Sequence, residues 1–171
     1  MTGAGHTCGL TGPGAAYCWG NGAFGQLGHT GYTGNDPHPI PGAVTGGLTF
    51  SGLASGSHHT CGLTSAGAAY CWGDNSSGQL GYGPIWTSYA TPAAASGGLS
   101  FSALAPGGLH TCGLTSAGAV HCWGDNSWGQ LGDGTAQTWW VPAPVSGGLG
   151  LNALAAGAYH TCGVAGPGAA H

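Results

Sequence analysis

The sequence predicts an all-β chain, built as a propeller-type array of tandem repeats. The first evidence is a recurring His-Thr-Cys-Gly motif whose cysteine returns after 53, 51 and 50 residues, a period typical of propellers and solenoids. The second is that each period holds four short apolar runs separated by turn residues, which is the make-up of one propeller blade. The third is that no stretch keeps a helical period. We expect about three and a third four-stranded blades, with repeats at 1–53, 54–104, 105–154 and a partial repeat at 155–171.

The first two strands of a repeat are predicted to form a hairpin. In the second repeat they flank the loop 65–67, whose final Gly fits a type I turn closed by a left-handed residue. This loop fixes the register, so Cys61 lies opposite Cys71 and Thr60 opposite Trp72. Because successive side chains alternate between the faces of a strand, the two cysteines share one face and Thr60 and Trp72 share the other.

The rest of the repeat is predicted to contain a turn and two further strands. The motif Gly-Asp-Asn-x-x-Gly-Gln-Leu-Gly stands at 73–81 and 124–132, and in looser form at 20–28. It is typical of a turn, since Asp and Asn cap backbone groups and Gly supplies positive φ. After a variable stretch come a Pro-containing extended run, such as 92–96, and a fourth apolar run, such as 101–105.

Together these motifs resemble the regulator-of-chromosome-condensation repeat, and the resemblance covers essentially the whole chain. The residues that carry it are His-Thr-Cys-Gly-Leu-Thr, Tyr-Cys-Trp-Gly-Asp-Asn, Gly-Gln-Leu-Gly and Pro-x-x-Val-x-Gly-Gly-Leu. The Cys-containing form is similar to that of bacterial secreted and surface proteins. The resemblance implies part of a seven-bladed propeller, or an open, filamentous stack of such blades. It does not imply the nucleotide exchange activity found in the family, which depends on a loop insertion and charged contacts.

The composition is unusual because the chain has no Lys or Arg and only four acidic residues, all Asp. An average soluble protein is about a quarter charged. Two explanations remain open: a surface-layer or fibre protein that needs no charge, or a sequence read from a density map in which long side chains fade to Ala, Ser or Gly. Taken literally, the missing basic residues argue against nucleic-acid partners and anionic membranes. No apolar run reaches the roughly 18 residues of a membrane span.

Six of the seven cysteines fall into three pairs with the same spacing. The register puts the members of each pair directly cross-strand, where a disulfide is feasible. The predicted disulfides are Cys8–Cys18, Cys61–Cys71 and Cys112–Cys122, and Cys162 is left unpaired. One bridge in each blade indicates an oxidising compartment, so we expect an extracellular or cell-surface protein. The alternatives are zinc held by the His and two Cys of each repeat, or free buried thiols.

The sequence offers no catalytic constellation. No nucleophile elbow, phosphate loop or pair of glutamates is present, so we expect no enzyme, no cofactor and no metal. The recurring histidines are interpreted as structural, hydrogen-bonded to backbone between blades. Asp74 and Asp125 occupy equivalent repeat positions and are interpreted as turn caps. Asn75 begins an Asn-Ser-Ser sequon, which makes it a candidate for N-glycosylation.

The repeats differ most at 30–41, 82–91 and 134–141. In repeat arrays such regions map to loops on one face, often the binding face. The candidate binding residues in them are aromatic: Tyr32, Trp86, Tyr89, Trp139 and Trp140. Exposed aromatic side chains suit protein interfaces or stacking on sugars. The alternative is packing between neighbouring blades.

We therefore expect a non-enzymatic extracellular structural or interaction module. Three blades cannot close a ring of seven, so the array is expected to continue, to pair with copies of itself or to stack into a filament. The leading hypothesis is a subunit or segment of a surface fibre or appendage, with 1–5 and 159–171 buried against neighbours. The alternative is a binding propeller that recognises a protein or a glycan through its variable loops.

Overall fold

The computed structural model describes residues 1–30, 36–166 and 169–170, and every helix or strand found there is a β-strand. The strands of this described part are β1 (His6–Leu10), β2 (Ala16–Gly20), β3 (His38–Ala43), β4 (Gly52–Ser55), β5 (His59–Leu63), β6 (Ala69–Gly73), β7 (Tyr89–Ala94), β8 (Ala103–Pro106), β9 (His110–Leu114), β10 (Val120–Gly124), β11 (Trp139–Pro144), β12 (Ala153–Ala156), β13 (Thr161–Ala165) and β14 (Ala169–Ala170).

The strands form four antiparallel sheets in which each strand pairs with its neighbours in the sequence. The orders are β1-β2-β3, β4-β5-β6-β7, β8-β9-β10-β11 and β12-β13-β14. The apolar run that ends a repeat in the sequence, such as 101–105, forms the first strand of the next sheet, here β8. Sheet and sequence repeat are thus offset by one strand, and the offset ties each repeat to its successor through backbone hydrogen bonds.

The predicted hairpin register is confirmed. Cys61 pairs with Cys71 and Thr60 with Trp72, and the first and third sheets repeat the pattern. Gly67 closes the loop with φ 82°, in the left-handed region that the short loop requires. The structure adds one feature that the sequence did not indicate. The space over Gly62 holds the ring of Phe50, which comes from the segment preceding β4, rather than the ring of the cross-strand Tyr70.

The apolar core consists of three clusters in series, one between each pair of successive sheets. The first contains Leu27 and Phe50 beside the Cys8–Cys18 bridge, and Trp72 reaches into it from the second sheet. Trp123 of the third sheet enters the second cluster in the same way. Trp72 and Trp123 have no solvent exposure, and burying rings of this size is a major source of stability. Each sheet therefore completes the core of the sheet before it.

The first strands of successive sheets lie side by side at the inner end of the array. β4 contacts β8, and β8 contacts β12. In the part of the chain that the structure describes, no helix has the length and apolarity needed to cross a membrane.

Candidate interaction surface

A repeated hydrogen-bonded unit joins neighbouring sheets. His59 of the second sheet bonds through Nε2 to Thr111 Oγ1 of the third sheet at 2.9 Å, and the Thr111 hydroxyl donates to the carbonyl oxygen of Gln79 at 2.8 Å. Trp123 Nε1 donates to the same carbonyl at 2.9 Å. We call this His–Thr–Gln unit the clasp. It recurs as His6–Thr60–Gln26 and as His110–Thr161–Gln130.

The clasp fixes the tautomer of its histidine. The one hydroxyl proton of Thr111 goes to Gln79, so Thr111 Oγ1 must accept a proton from Nε2 of a neutral His59. The Nδ1 atoms of the three clasp histidines are buried and have no hydrogen-bond partner among the described residues. A second proton there would be buried without an acceptor, so the charged ring is disfavoured.

The pKa values of the clasp histidines are lowered accordingly. Burial lowers the pKa of His59 to about 3, and the neighbouring histidines His110, His6 and His58 add to the effect. Burial, with His58 as a second cause, lowers the pKa of His6 to about 4. Burial also lowers the pKa of His110 to about 4, although Asp125 opposes the shift. The clasps are therefore neutral at physiological pH.

A glycine three residues before each clasp histidine makes room for its ring. A Cβ atom on Gly107 would lie 2.6 Å from His110 Nδ1 and 2.6 Å from the carbonyl oxygen of Gly157. The amide of Gly107 also donates to the carbonyl of His110 at 2.8 Å, which closes the turn. Gly3 and Gly56 hold the same position below His6 and His59. The histidines are structural and bridge blades, but they bond to a threonine hydroxyl rather than to backbone as expected.

The Gly-Asp-Asn-x-x-Gly-Gln-Leu-Gly segment is the turn that positions the clasp carbonyl. Asp74 accepts from the amide of Ser76 at 3.0 Å and from Gln79 Nε2 at 2.9 Å. Gln79 Oε1 in turn accepts from the amide of Ser77 at 2.9 Å. Asp125 and Gln130 repeat these bonds in the third sheet. The aspartates therefore act as turn caps, which agrees with the sequence interpretation.

Asn75 is fully buried in this turn. Its Oδ1 accepts from the amide of Leu80 at 3.0 Å, and its Nδ2 donates to the carbonyl of Ile85 at 2.5 Å. A glycan needs a solvent-facing Nδ2, whereas this atom is engaged inside the loop. Asn75 thus serves as the internal brace of the turn, and its glycosylation stays a prediction.

Two of the predicted aromatic residues meet across adjacent blades. Trp86, in the β6–β7 connection, lies with its ring centroid 4.2 Å from that of Trp140, at the start of β11. Trp140 also covers Gly78, where an added Cβ would lie 2.6 Å from the ring, and its carbonyl accepts from the amide of Gly83 at 3.0 Å. Trp140 is consequently half-buried, while Trp86 remains 69% exposed. At this pair, therefore, Trp140 packs against the neighbouring blade while Trp86 faces solvent.

The other predicted aromatic residues have different environments. Tyr89 is half-buried, and its ring packs edge-on against Tyr82 of the same blade at 5.0 Å. Trp139 is exposed and donates from Nε1 to Asp133 Oδ2 at 2.7 Å. Burial slightly opposes ionisation of Asp133, but bonds from Thr135, Trp139 and Asn126 outweigh it and lower the Asp133 pKa to about 2. Tyr32 lies outside the described residues.

The sequence analysis missed two further exposed aromatic residues. Trp128 is 76% exposed and Phe24 is 39% exposed. They occupy the second variable position of the turn motif, where the second repeat has Ser77. Aligning the repeats at this position, rather than only over the longer variable stretches, would have indicated both. With Trp86, Trp139 and Trp140 they form what we call the aromatic rim. Phe24, Trp86 and Trp128 lie in equivalent connections of the three blades, and Trp139 and Trp140 begin β11 directly after the last of these connections.

The cysteine predictions are confirmed in the structure. Cys8–Cys18, Cys61–Cys71 and Cys112–Cys122 are disulfides, and Cys162 is free and exposed. The alternative zinc site needed thiolates that these bridges consume. Over the described ranges, no group of three or more His, Cys, Asp or Glu side chains is placed to hold a metal ion.

Known proteins share these repeats. Models of the regulator of chromosome condensation (RCC1) repeat match residues 13–63, 66–114 and 117–164, and a second model matches 50–79 and 101–130. The chain is 36% identical over 130 residues to the human E3 ubiquitin-protein ligase HERC2 and 37% identical over 135 residues to the Arabidopsis thaliana ultraviolet-B receptor UVR8. These matches cover 74% and 77% of the chain but only 3% and 30% of the two relatives.

Solved structures show the same fold. The crystal structure of Prp20p from Saccharomyces cerevisiae aligns with a TM-score of 0.85 at 19% identity, over 98% of this chain and 43% of that chain. The entire ectodomain of the Physcomitrella patens receptor kinase CR4 aligns with a TM-score of 0.60 at 27% identity, over 99% of this chain and 38% of that chain. The likeness to Prp20p concerns the fold alone. The chain thus spans less than half the length of either of these two structures.

Proposed function

Because this chain belongs to the family of regulator of chromosome condensation (RCC1) repeat proteins, we propose that it is an extracellular, non-catalytic module that binds another protein through the aromatic rim. RCC1-type propeller repeats are protein-interaction modules in general. The observation that carries the proposal for this chain is the set of exposed tryptophans on equivalent connections. Trp86 and Trp128 are 69% and 76% exposed, and tryptophan is among the residues that dominate binding energy at protein interfaces.

The chemistry of the rim indicates the kind of partner. The charged side chains near it are aspartates: Asp125 and Asp133 lie in the same connection as Trp128, and Trp139 begins the strand that follows. The chain has no Lys or Arg to repel a basic surface. A partner that presents arginine beside apolar side chains fits best, since guanidinium groups stack on indole rings and pair with carboxylates.

The extracellular location rests on two observations. Three buried disulfides, one in each of the first three sheets, are typical of proteins that fold in an oxidising compartment. The similar CR4 structure is a receptor ectodomain. Relatives that work in other compartments share the repeat as well, so the disulfides of this chain are the stronger support.

A comparative binding experiment tests the rim. Immobilised chain would be used to capture proteins from the extracellular fraction of the source cells, and the affinity of a purified partner would then be measured. We expect the double variant Trp86→Ala, Trp140→Ala to weaken binding by at least about 30-fold, as expected for loss of an aromatic anchor. Tyr17→Ala, an exposed aromatic in β2 outside the rim, is the matched control. Equal binding by the rim variant and the control would contradict the proposal.

A surface fibre remains a second candidate, favoured by one observation. Trp19 holds the same repeat position as the fully buried Trp72 and Trp123, yet it is only half-buried. Stacking of copies would cover this ring. Sedimentation of the native chain over a range of concentrations tests the idea. Assembly that is lost in Trp19→Ala supports the fibre, and a monomer at every concentration contradicts it.

A further inference from the structure

The turn of the first blade differs from the other two turns at two positions. Where the motif Gly-Asp-Asn-x-x-Gly-Gln-Leu-Gly has its aspartate and its asparagine, the first blade has Asn21 and Gly22. The pair makes an Asn-Gly sequence, which occurs nowhere else in the chain. In such a sequence the backbone amide of the glycine can approach the asparagine side chain closely, because glycine has no Cβ atom.

Asn21 makes the hydrogen bonds of the aspartate that it replaces. Its Oδ1 accepts from the amide of Ala23 at 3.0 Å and from Gln26 Nε2 at 3.1 Å. Asp74 accepts the two equivalent bonds in the second blade, one on each carboxylate oxygen. The first turn therefore holds an amide in a setting that binds a carboxylate in the other blades.

The amide nitrogen of Asn21 takes no part in this turn. Among the described residues Nδ2 donates no hydrogen bond, and the side chain is only half-buried. Asn75 and Asn126, by contrast, are fully buried, and each uses Oδ1 as an acceptor and Nδ2 as a donor. Loss of the nitrogen would break bonds at those two residues but none at Asn21.

The two donors to Oδ1 lie where negative charge would develop. When a backbone nitrogen attacks Asn21 Cγ, charge builds up on Oδ1, and the N–H groups of Ala23 and Gln26 stabilise it as an oxyanion hole does. The attacking nitrogen belongs to Gly22, whose amide donates to no acceptor among the described residues. The turn thus polarises the side-chain carbonyl and leaves the nucleophile without a competing hydrogen bond.

We propose that Asn21 is a deamidation site, at which the turn converts the asparagine to aspartate. The new oxygen takes the place of Nδ2 and accepts from Gln26 Nε2, while Oδ1 keeps the bond from the Ala23 amide. Both carboxylate oxygens then accept, as in Asp74, and hydrogen bonds to a charged acceptor are stronger than neutral ones. The site uses none of the residues of the aromatic rim, so it goes beyond the proposed function.

The covalent step is an attack within the chain followed by hydrolysis. The Gly22 nitrogen loses its proton and bonds to Asn21 Cγ, while Nδ2 takes up a proton and leaves as ammonia, which closes a cyclic imide. Water then adds to Cγ, the bond from Cγ to the Gly22 nitrogen breaks, and that nitrogen regains a proton. Water is consumed and ammonia is released in equal amounts, and nothing is oxidised or reduced.

Peptide mapping by mass spectrometry tests the site on the native chain kept at neutral pH. We expect Asn21 to convert at least about 10-fold faster than Asn152, which is exposed but is followed by Ala153. The buried Asn75 and Asn126 should not convert. The product adds one negative charge to a chain whose net charge is −4, so ion exchange gives a second measure. Equal rates at Asn21 and Asn152 would overturn the proposal.

A matched pair of variants separates the effect of the turn from that of the Asn-Gly sequence. Gln26→Glu keeps the oxygen that accepts from the Phe24 amide but removes the Nε2 donor, so conversion of Asn21 should slow at least about 10-fold. Gln79→Glu, the same change in the second blade, is the control and should leave the rate at Asn21 unchanged. Equal rates at Asn21 in the two variants would contradict the role of the turn.

Two further measurements do not depend on how Gln26→Glu folds. With the unchanged chain unfolded in guanidinium, Asn21 should convert more slowly than in the native chain, because the donors to Oδ1 are lost. Asn21→Asp, which reproduces the product, should raise the urea midpoint at neutral pH, whereas Asn152→Asp, outside the turn, should not. An unfolded rate equal to or above the native rate, or a lower midpoint for Asn21→Asp, would overturn the proposal.

Discussion

Mild acid is predicted to destabilise this protein through the clasps. Histidine in the unfolded chain takes up a proton below its ordinary pKa of about 6.5, whereas His6, His59 and His110 stay neutral in the fold down to pKa values of about 4, 3 and 4. The unfolded state therefore binds more protons throughout this range, and stability falls as the pH falls. The stabilisation is fully present above pH 6.5 and is lost as the pH falls toward 4.

The size of the effect follows from the shifts. From the unfolded-chain pKa of about 6.5 down to pH 5 is about 1.5 pH units, over which each clasp histidine loses about 2 kcal/mol of stabilisation. The three histidines together therefore lower the free energy of unfolding by about 6 kcal/mol. A domain of this kind is stable by roughly 5–15 kcal/mol. The loss would therefore remove a large part of the free energy of unfolding. Asp133 acts in a separate window, because its lowered pKa affects stability only below about pH 4.

Urea unfolding followed by tryptophan fluorescence at pH 7.5 and pH 5 measures the loss. His59→Gln keeps a donor for Thr111 but does not titrate, so it should reduce the pH-dependent loss by about 2 kcal/mol. Ile40→Ala, at an exposed position of β3 outside the clasps, is the control and should leave the loss at full size. A wild-type loss of less than about 2 kcal/mol, or equal losses in the two variants, would refute the reasoning.

Three further changes test the contacts between blades and the bridges within them. Thr111→Val removes the hydroxyl that joins His59 to Gln79 and should lower the free energy of unfolding by about 2–3 kcal/mol, because the buried donor His59 Nε2 is left unsatisfied. The control Thr115→Val, at the hairpin loop, should cost less than half of that, and equal losses would contradict the clasp. Gly107→Ala brings a methyl group against the His110 ring and should lower the free energy of unfolding in urea by about 1–3 kcal/mol. The control Gly52→Ala, with open space at its Cβ, should cost less than about 1 kcal/mol. A larger loss for Gly52→Ala than for Gly107→Ala would contradict the packing. Refolding in a reducing agent should lower stability by at most about 3 kcal/mol per bridge, since each disulfide closes a short loop; an unchanged urea midpoint would show that the bridges add nothing.

The hairpins could be predicted from the sequence because their geometry is local. A three-residue loop ending in Gly67 fixes the register, and the register alone places Cys61 opposite Cys71. The clasp could not be predicted in this way. His59 and Thr111 are separated by 52 residues, and the sequence does not state which surfaces of successive sheets face each other. The recurrence of both residues was visible, but their contact depends on how one sheet packs on the next.

The candidate surface was predicted less completely, for a related reason. The sequence does not show whether a side chain in a variable loop faces solvent or a neighbouring blade. Trp140 is half-buried because it covers Gly78 of the preceding blade, whereas the space over Gly129, next to Trp128, is open and Trp128 stays exposed. Asn75 shows the same limit: its sequon is intact, but both amide atoms are used inside the turn.

The clasp has a direction. In each one the histidine and the glutamine belong to one sheet, and the threonine that joins them comes from the next sheet along the chain. Each of the first three sheets is thus locked by the sheet that follows it. In a nearest-neighbour chain of this kind, a perturbation of one sheet should loosen the sheet before it more than the sheet after it. Native-state hydrogen exchange measures this difference, even though the repeats have nearly the same sequence.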